Sequence, residues 1–269
     1  MTDDGQPQVR VVADATAAAS LAAELTATWL TDAVTARGRA DWATTGGSTP
    51  IGMYRSLMRP PLMAAVPWQD IRIWWGDDRF VHRDHPLSNV KPLDDILLGI
   101  GRTEEGTAGG AVEVPLPAGN LHPFPTGEAI GRGLGADWCA AQLAATLRAD
   151  GPPAVDGWPV FDLVLLGMGG DGHVLSVFPG SAALGSTELC LAIPAPTHIE
   201  PHVERVTMNP AVIGAARQVL VVATGAGKAT ALAEVFGTEH DPSRWPAQLA
   251  RIPTATWILD EAAAAGLPR

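Results

Sequence analysis

The segment Phe161-Asp-Leu-Val-Leu-Leu-Gly-Met-Gly-Gly-Asp-Gly-His173 constrains this chain more than any other. The run from Phe161 to Leu166 has the pattern of a strand buried on both faces, as found in parallel sheets covered by helices. It runs into four glycines, Gly167, Gly169, Gly170 and Gly172, so the backbone can turn sharply and approach a ligand closely. Asp171 and His173 lie inside that turn. Open α/β sheets bind ligands at the C-terminal ends of their strands. An imidazole there can serve as a general base near neutral pH.

Two other readings compete for the segment. Gly167, Gly169 and Gly172 match the G-x-G-x-x-G dinucleotide fingerprint, which needs a long helix to start at the glycines. Here Val174 to Phe178 is rich in β-branched residues, and Pro179-Gly180 cuts it short. No acidic residue stands about 20 positions past Gly172, the last glycine of the match, where a ribose would require one. The plainer alternative is a tight turn with a surface Asp and His.

The 269 residues suit one large α/β domain, and residues 1–269 are expected to form a single one. With 46% hydrophobic and 17% charged residues the chain can fill a sizeable core. Alanine-rich helical runs alternate with Val/Ile/Leu strands, which predicts a mostly parallel sheet flanked by helices. A net charge of −11 disfavours nucleic acid and anionic membranes as partners. A local cluster of cations and N–H donors can still bind a phosphorylated substrate. Cys139 and Cys190 are expected as buried thiols, and no histidine spacing supports a metal. The polar, acidic N-terminus does not resemble a signal peptide, and a cytoplasmic protein is expected.

Along the chain, Asp14 can cap a helix from Ala15 to Arg37 that stops at Gly38. Strands are predicted at Ala40–Thr44, Ile71–Trp75, Glu188–Ile193, Gln218–Thr224 and Ala255–Leu259. Helices are predicted over Pro50–Met58, Val90–Leu98, Ala129–Ala149, Pro210–Ala216 and Lys228–Phe236. Thr207 is the expected cap of the helix at Pro210, and Asp260 that of a short terminal helix. Residues 99–127 are expected as a surface excursion with one edge strand near Val112 to Leu116.

Four strand ends carry glycine-rich or polar loops: residues 45–50, 76–79, 167–173 and 224–228. In a parallel sheet these ends share one edge, so the loops can meet. Gly46 and Gly47 expose backbone N–H groups, Ser48 and Thr49 add hydroxyls, and the following helix adds its dipole, a combination suited to phosphate. The same loop could also be a plain helix cap. Lys228 at a helix start opposes the helix dipole unless an anion lies nearby. It is not part of a Walker A loop, since Ala229 stands where Ser/Thr is required. Arg79 offers a planar fork for an oxyanion, although Asp77-Asp78-Arg79 could be a solvated turn. Arg205 is a further cation. His85 lies near enough to line a site, whereas His82, His122, His198, His202 and His240 read mostly as exposed loop residues.

Taken together, Thr45-Gly-Gly-Ser-Thr-Pro50, Trp75-Gly-Asp-Asp-Arg-Phe80, Asp84-His-Pro-Leu-Ser-Asn89, the turn to His173 with Phe178-Pro-Gly180, and Arg205-Val-Thr-Met-Asn209 resemble the 6-phosphogluconolactonase family. The similarity runs from about residue 10 to 260. It implies a three-layer α/β/α, modified Rossmann-like fold without a nucleotide or other cofactor. The implied reaction is hydrolysis of 6-phospho-D-glucono-1,5-lactone in the oxidative pentose phosphate pathway. By resemblance, Asp171 and His173 are the catalytic pair. Gly46, Gly47, Ser48, Thr49 and Lys228 hold phosphate with Arg205 close by, and Asp77, Arg79 and Gly170 contact substrate. The expected partner is the phosphosugar lactone, with neither nucleic acid nor membrane, on a monomer or weak homo-oligomer. Two departures stand out. Asp78 replaces the usual Glu at what is expected to be the site edge, and Val174-Leu-Ser-Val177 replaces Thr-Ala-Ser-Leu. A deaminase/isomerase of amino-sugar phosphates is the alternative enzyme, although Phe178-Pro-Gly180 replaces its usual Asn-Glu-Pro. A sugar-phosphate sensor would need a DNA-binding module, and none is visible.

Overall fold

Short apolar runs and alanine-rich helices alternate along the chain, and they assemble around one central sheet. The computed structural model describes residues 5–100 and 113–267. The first part comprises β1 (Gln8–Val12), α1 (Ala15–Arg37), β2 (Ala40–Thr44), α2 (Thr49–Leu57), α3 (Leu62–Ala65), β3 (Ile71–Trp75), β4 (Asp77–Arg79) and α4 (Lys91–Ile96). Next come β5 (Leu121–His122), α5 (Thr126–Gly131), α6 (Ala136–Asp150), β6 (Ala154–Val155), β7 (Trp158–Pro159) and β8 (Leu163–Gly167). The rest is β9 (Cys190–Ile193), β10 (Arg205–Met208), α7 (Ala211–Ala215), β11 (Val219–Ala223), α8 (Ala229–Val235), β12 (Ala255–Asp260) and α9 (Glu261–Ala264).

Seven strands form a sheet in the order β1-β12-β11-β8-β2-β3-β5, and every pairing in it is parallel. Strands β2, β3, β11 and β12 are buried along their whole length, which explains their near-continuous apolar sequence. Trp42, Trp74, Trp75 and Trp257 are fully buried on them. Each such side chain contributes on the order of 2–3 kcal/mol by leaving water.

Helix α1 starts where the Asp14 carboxylate accepts the Ala17 N–H at 2.8 Å and stops at Gly38, with φ 77°. Its buried face is mostly alanine, including Ala18, Ala22, Ala23 and Ala27, so it packs close to its neighbours. Gly52 of α2 completes that approach, because a Cβ there would come 2.8 Å from the Ala19 methyl. No helix among the described residues is long and apolar enough to cross a membrane.

Several expectations need correction. The helix over Ala129–Ala149 is two helices, α5 and α6. Gly131, Gly133 and Gly135 separate them, and Gly133 takes φ 66°, which stops the first helix. Thr207 does not cap a helix. It lies on β10, and Asn209 Oδ1 accepts the Ala211 N–H at 2.9 Å instead. Residues 113–116 form no strand; the sheet edge there is β5, and residue 112 lies outside the described residues. A second, antiparallel sheet in the order β4-β10-β9 was not foreseen.

Candidate active site

Because the seven strands run the same way, the loops after β2, β3, β8 and β11 emerge at one edge. There they line a single cleft of about 310 Å³. Gly46, Gly47, Ser48 and Thr49 form one wall, and Asp77 and Arg79 another. Gly167, Met168, Gly169 and His173 form the floor, while Arg205 and Lys228 reach in from β10 and the loop after β11. The volume is at the lower end of the roughly 300–1,000 Å³ usual for small-molecule pockets.

The glycine turn makes the Asp171–His173 pair. Gly172 takes φ 80°. A side chain at Gly169 would collide with both His173 Nδ1 and Asp171 Oδ1, so only glycine leaves them room to meet. His173 Nδ1–H donates to Asp171 Oδ1 at 2.6 Å, and each side chain is 19% exposed. This fixes the tautomer and leaves Nε2 with its lone pair, since a carboxylate can only accept. The second oxygen, Oδ2, accepts Nε2–H of His198 at 2.9 Å. Burial pushes the Asp171 carboxyl up, but hydrogen bonds and charge from His173, with a further bond from His198, outweigh it. They hold the carboxyl well below the usual carboxylate range.

Three cations line the cleft. Lys228 follows a turn in which Gly225 takes φ 90°, held by its N–H donating to Asp260. Its ammonium has neither an ion-pair nor a hydrogen-bond partner among the described residues, and burial lowers its pKa. Arg79 donates to Leu87 O at 2.8 Å and Arg205 to Pro201 O at 3.2 Å. The Nε of each arginine is buried with no partner among the described residues. Burial lowers the Arg205 pKa first, and the nearby Arg79 charge adds to it. Unsatisfied buried donors of this kind are costly, and the two side chains that carry them both line the cleft. Ser48 precedes α2 and makes no side-chain capping bond, so its hydroxyl is not engaged by the helix start.

The frame behind these groups is polar and extensively hydrogen-bonded, although the buried Asn89 Oδ1 has no partner among the described residues. Asp77 accepts from Asn89 Nδ2 at 3.0 Å and from Ser176 Oγ at 2.6 Å. Gly46 lies against Asn89, and a Cβ at that position would overlap its backbone. Asp78 is not at the site edge. It is fully buried and points away, accepting the N–H groups of Asn89 at 2.6 Å and Arg79 at 2.7 Å. It therefore shapes the loop that presents Arg79. Val174 is buried and bridges to Val177, and Leu175 lines the cleft with φ 54°.

Other expected positions fall elsewhere. Gly170 is exposed beside the Gly227 carbonyl, outside the cleft lining. His85 is exposed and accepts the Leu87 N–H, away from the cleft. His122 stacks on Trp74 and bonds Arg72. His198, read from sequence as an exposed loop residue, is 48% exposed yet bonded to Asp171. No spacing pattern links it to residue 171, because the loop from Pro194 to Pro201 has no regular periodicity. Cys139 and Cys190 are both buried free thiols, as expected.

A parallel α/β sheet with a cationic cleft at its C-terminal edge, holding a carboxylate–imidazole pair, defines an α/β fold with an enzyme-like, anion-accepting site. Residues 13–258 match the family model described as glucosamine-6-phosphate isomerases/6-phosphogluconolactonase, and the chain belongs to this family. It is 32% identical over 262 residues to a 6-phosphogluconolactonase of Synechocystis sp., covering 97% of this chain and 98% of that one. A Mycobacterium leprae 6-phosphogluconolactonase is 31% identical at the same coverage. The structure of 6-phosphogluconolactonase from Trypanosoma brucei superimposes with a TM-score of 0.82 at 25% identity, covering 98% of this chain and all of that one. A monomeric glucosamine-6-phosphate deaminase shares the fold at 19% identity, with a TM-score of 0.74.

Proposed function

We propose that this protein hydrolyses 6-phospho-D-glucono-1,5-lactone to 6-phosphogluconate, with His173 as general base. The observation that carries the reading is the carboxylate-held imidazole of His173 in one cleft with the unpaired Lys228 and the 46–49 loop. Family membership and relatives of that name support the substrate.

In this reading, Gly46, Gly47, Ser48, Thr49 and Lys228 hold the phosphate with Arg205 beside them, and Arg79 holds a ring or carbonyl oxygen. Asp77 keeps acceptor capacity for a sugar hydroxyl, because a carboxylate offers about four lone-pair sites. His173 Nε2 takes a proton from water as the water oxygen bonds to C1 and the carbonyl pair moves onto its oxygen. The tetrahedral intermediate collapses, the C1–O5 bond breaks, and O5 takes the proton from the imidazolium. Asp171 stays ionised and stabilises that imidazolium. A lactone is an activated ester, so no covalent intermediate is required.

The test is acid release from freshly prepared 6-phosphogluconolactone, corrected for spontaneous opening, with glucosamine-6-phosphate as a second substrate. Acceleration of the lactone alone is expected. Turnover of the amino sugar instead would replace this reading with the deaminase one.

A further inference from the structure

The carboxylate of the proposed catalytic pair has a second imidazole partner. Asp171 divides its two oxygens between two imidazoles: Oδ1 accepts from His173 at 2.6 Å and Oδ2 from His198 at 2.9 Å. Only one other hydrogen bond reaches the carboxylate among the described residues, a long one from the His173 backbone N–H at 3.3 Å. The flanking residues are Gly170 and Gly172, which have no side chains to brace it. A carboxylate torsion is intrinsically broad, so one bond to His173 would leave the pair loosely oriented.

His198 is itself well placed to act as a clamp. Its ring meets Phe178 edge-on at 5.6 Å between centroids, and the same Phe178 ring lies 4.7 Å from that of His173. One buried aromatic side chain thus packs against both imidazoles. The loop carrying His198 is tied on both sides. His202 Nδ1–H donates to Pro196 O at 2.7 Å, and Arg205 donates to Pro201 O. Ile199 and Glu200, next in sequence, line the cleft.

We propose that His198 is a positioning residue for the proposed reaction, holding the Asp171 carboxylate so that Oδ1 faces His173 Nδ1. His198 is not itself among the cleft-lining residues, and it acts through its bond to Asp171. Loosening it lowers the fraction of enzyme with His173 correctly oriented, which reduces kcat and leaves binding unchanged. The inference rests on His173 being the base.

The experiment measures kcat, KM and product affinity for His198→Ala, His198→Gln, Asp171→Asn, the double variant Asp171→Asn/His198→Ala, and His173→Ala. His198→Ala should lose about tenfold in kcat, the scale of one hydrogen bond to a charged group, with KM and product Kd within about twofold. His198→Gln, which keeps an N–H donor, should recover most of the loss. On the Asp171→Asn background, removing His198 should cost less than about twofold more, because the partner it holds is already altered. If His198→Ala does not fold, His198→Leu compared with His198→Gln carries the test at similar size. Wild-type kcat in the donorless variant, or a full loss that persists on the Asp171→Asn background, overturns the proposal. If His173→Ala is itself near wild type, it is the base assignment that fails. If His173→Ala is inactive and His198→Ala is not impaired, only the positioning role fails.

Discussion

Arg79 and Arg205 are direct register partners on adjacent antiparallel strands, so two like charges are held side by side, each with an Nε that has no partner among the described residues. Like charges opposite one another on a sheet are destabilising, and an anion between them relieves the repulsion. Arg205→Met should leave the ligand-free protein no less stable than wild type. The wild-type protein should gain about 2.7 kcal/mol at a ligand concentration of 100 Kd, and Arg205→Met should gain much less at the same 6-phosphogluconate concentration. Thermal unfolding with and without product measures both. Loss of ligand-free stability would show that Arg205 serves mainly as a tie to Pro201.

The base assignment makes a sharper demand. His173→Ala should reduce kcat by about 100-fold or more, since a positioned base contributes roughly 10²–10⁴-fold, while product affinity changes little. Steady-state assay alongside calorimetric binding of 6-phosphogluconate decides it. A variant with near-normal kcat removes His173 from the mechanism.

Lys228 should act on the phosphate. Lys228→Ala is expected to reduce kcat/KM for the phosphorylated lactone by about 10–150-fold, chiefly through KM. Gluconolactone without phosphate, where it is turned over at all, should be affected far less. Equal losses on both substrates would assign Lys228 to C1 or to the fold.

Asp78 ties stability to pH. Burial raises its carboxyl from the usual range to about 7, against the lowering effect of its hydrogen bonds from Asn89 and Arg79. The folded state therefore binds a proton more tightly than the unfolded chain. Its contribution to stability is fullest below about pH 4 and is lost as pH rises toward 7. Asp78→Asn should flatten the pH dependence of urea unfolding between about pH 4 and 7. An unchanged slope would mean that Asp78 is ionised throughout.

Gly169→Ala tests the turn itself. The added methyl meets His173 Nδ1 and Asp171 Oδ1, so the pair must separate. Activity should fall by at least the amount lost in Asp171→Asn, with the secondary structure retained by circular dichroism. An active Gly169→Ala enzyme would show that the pair need not be in contact.

What could be seen in advance follows from where each signal resides. Strands β2, β3, β8, β11 and β12 were legible because full burial demands five or six consecutive core-compatible residues between turn signals. Helix α1 declared both ends through Asp14 and Gly38. Strand β4 is Asp-Asp-Arg, a sequence with poor strand propensity, and exists because β10 pairs with it. Edge strand β1 is largely exposed, so burial put no continuous apolar run there. At the site, Asp171, His173, Lys228 and the 46–49 loop were visible because glycines and helix starts mark them. His198 was not, since its role depends on how a proline-laced loop folds back across 27 residues.

Ser176 Oγ reaches Asp77 Oδ2 across 99 residues of chain, and β8 takes its place in the sheet between β11 and β2. The cleft is therefore complete only once the chain through Lys228, beyond β11, has been made and has docked. Its walls are non-local contacts, the kind that form slowly because loop closure must precede any reward. A nascent or truncated chain ending before Lys228 would present the glycine turn and its histidine without the cation meant to sit opposite them. Hydrolytic activity should thus appear late in refolding, after most helical signal has returned, and serve as a reporter of completed assembly.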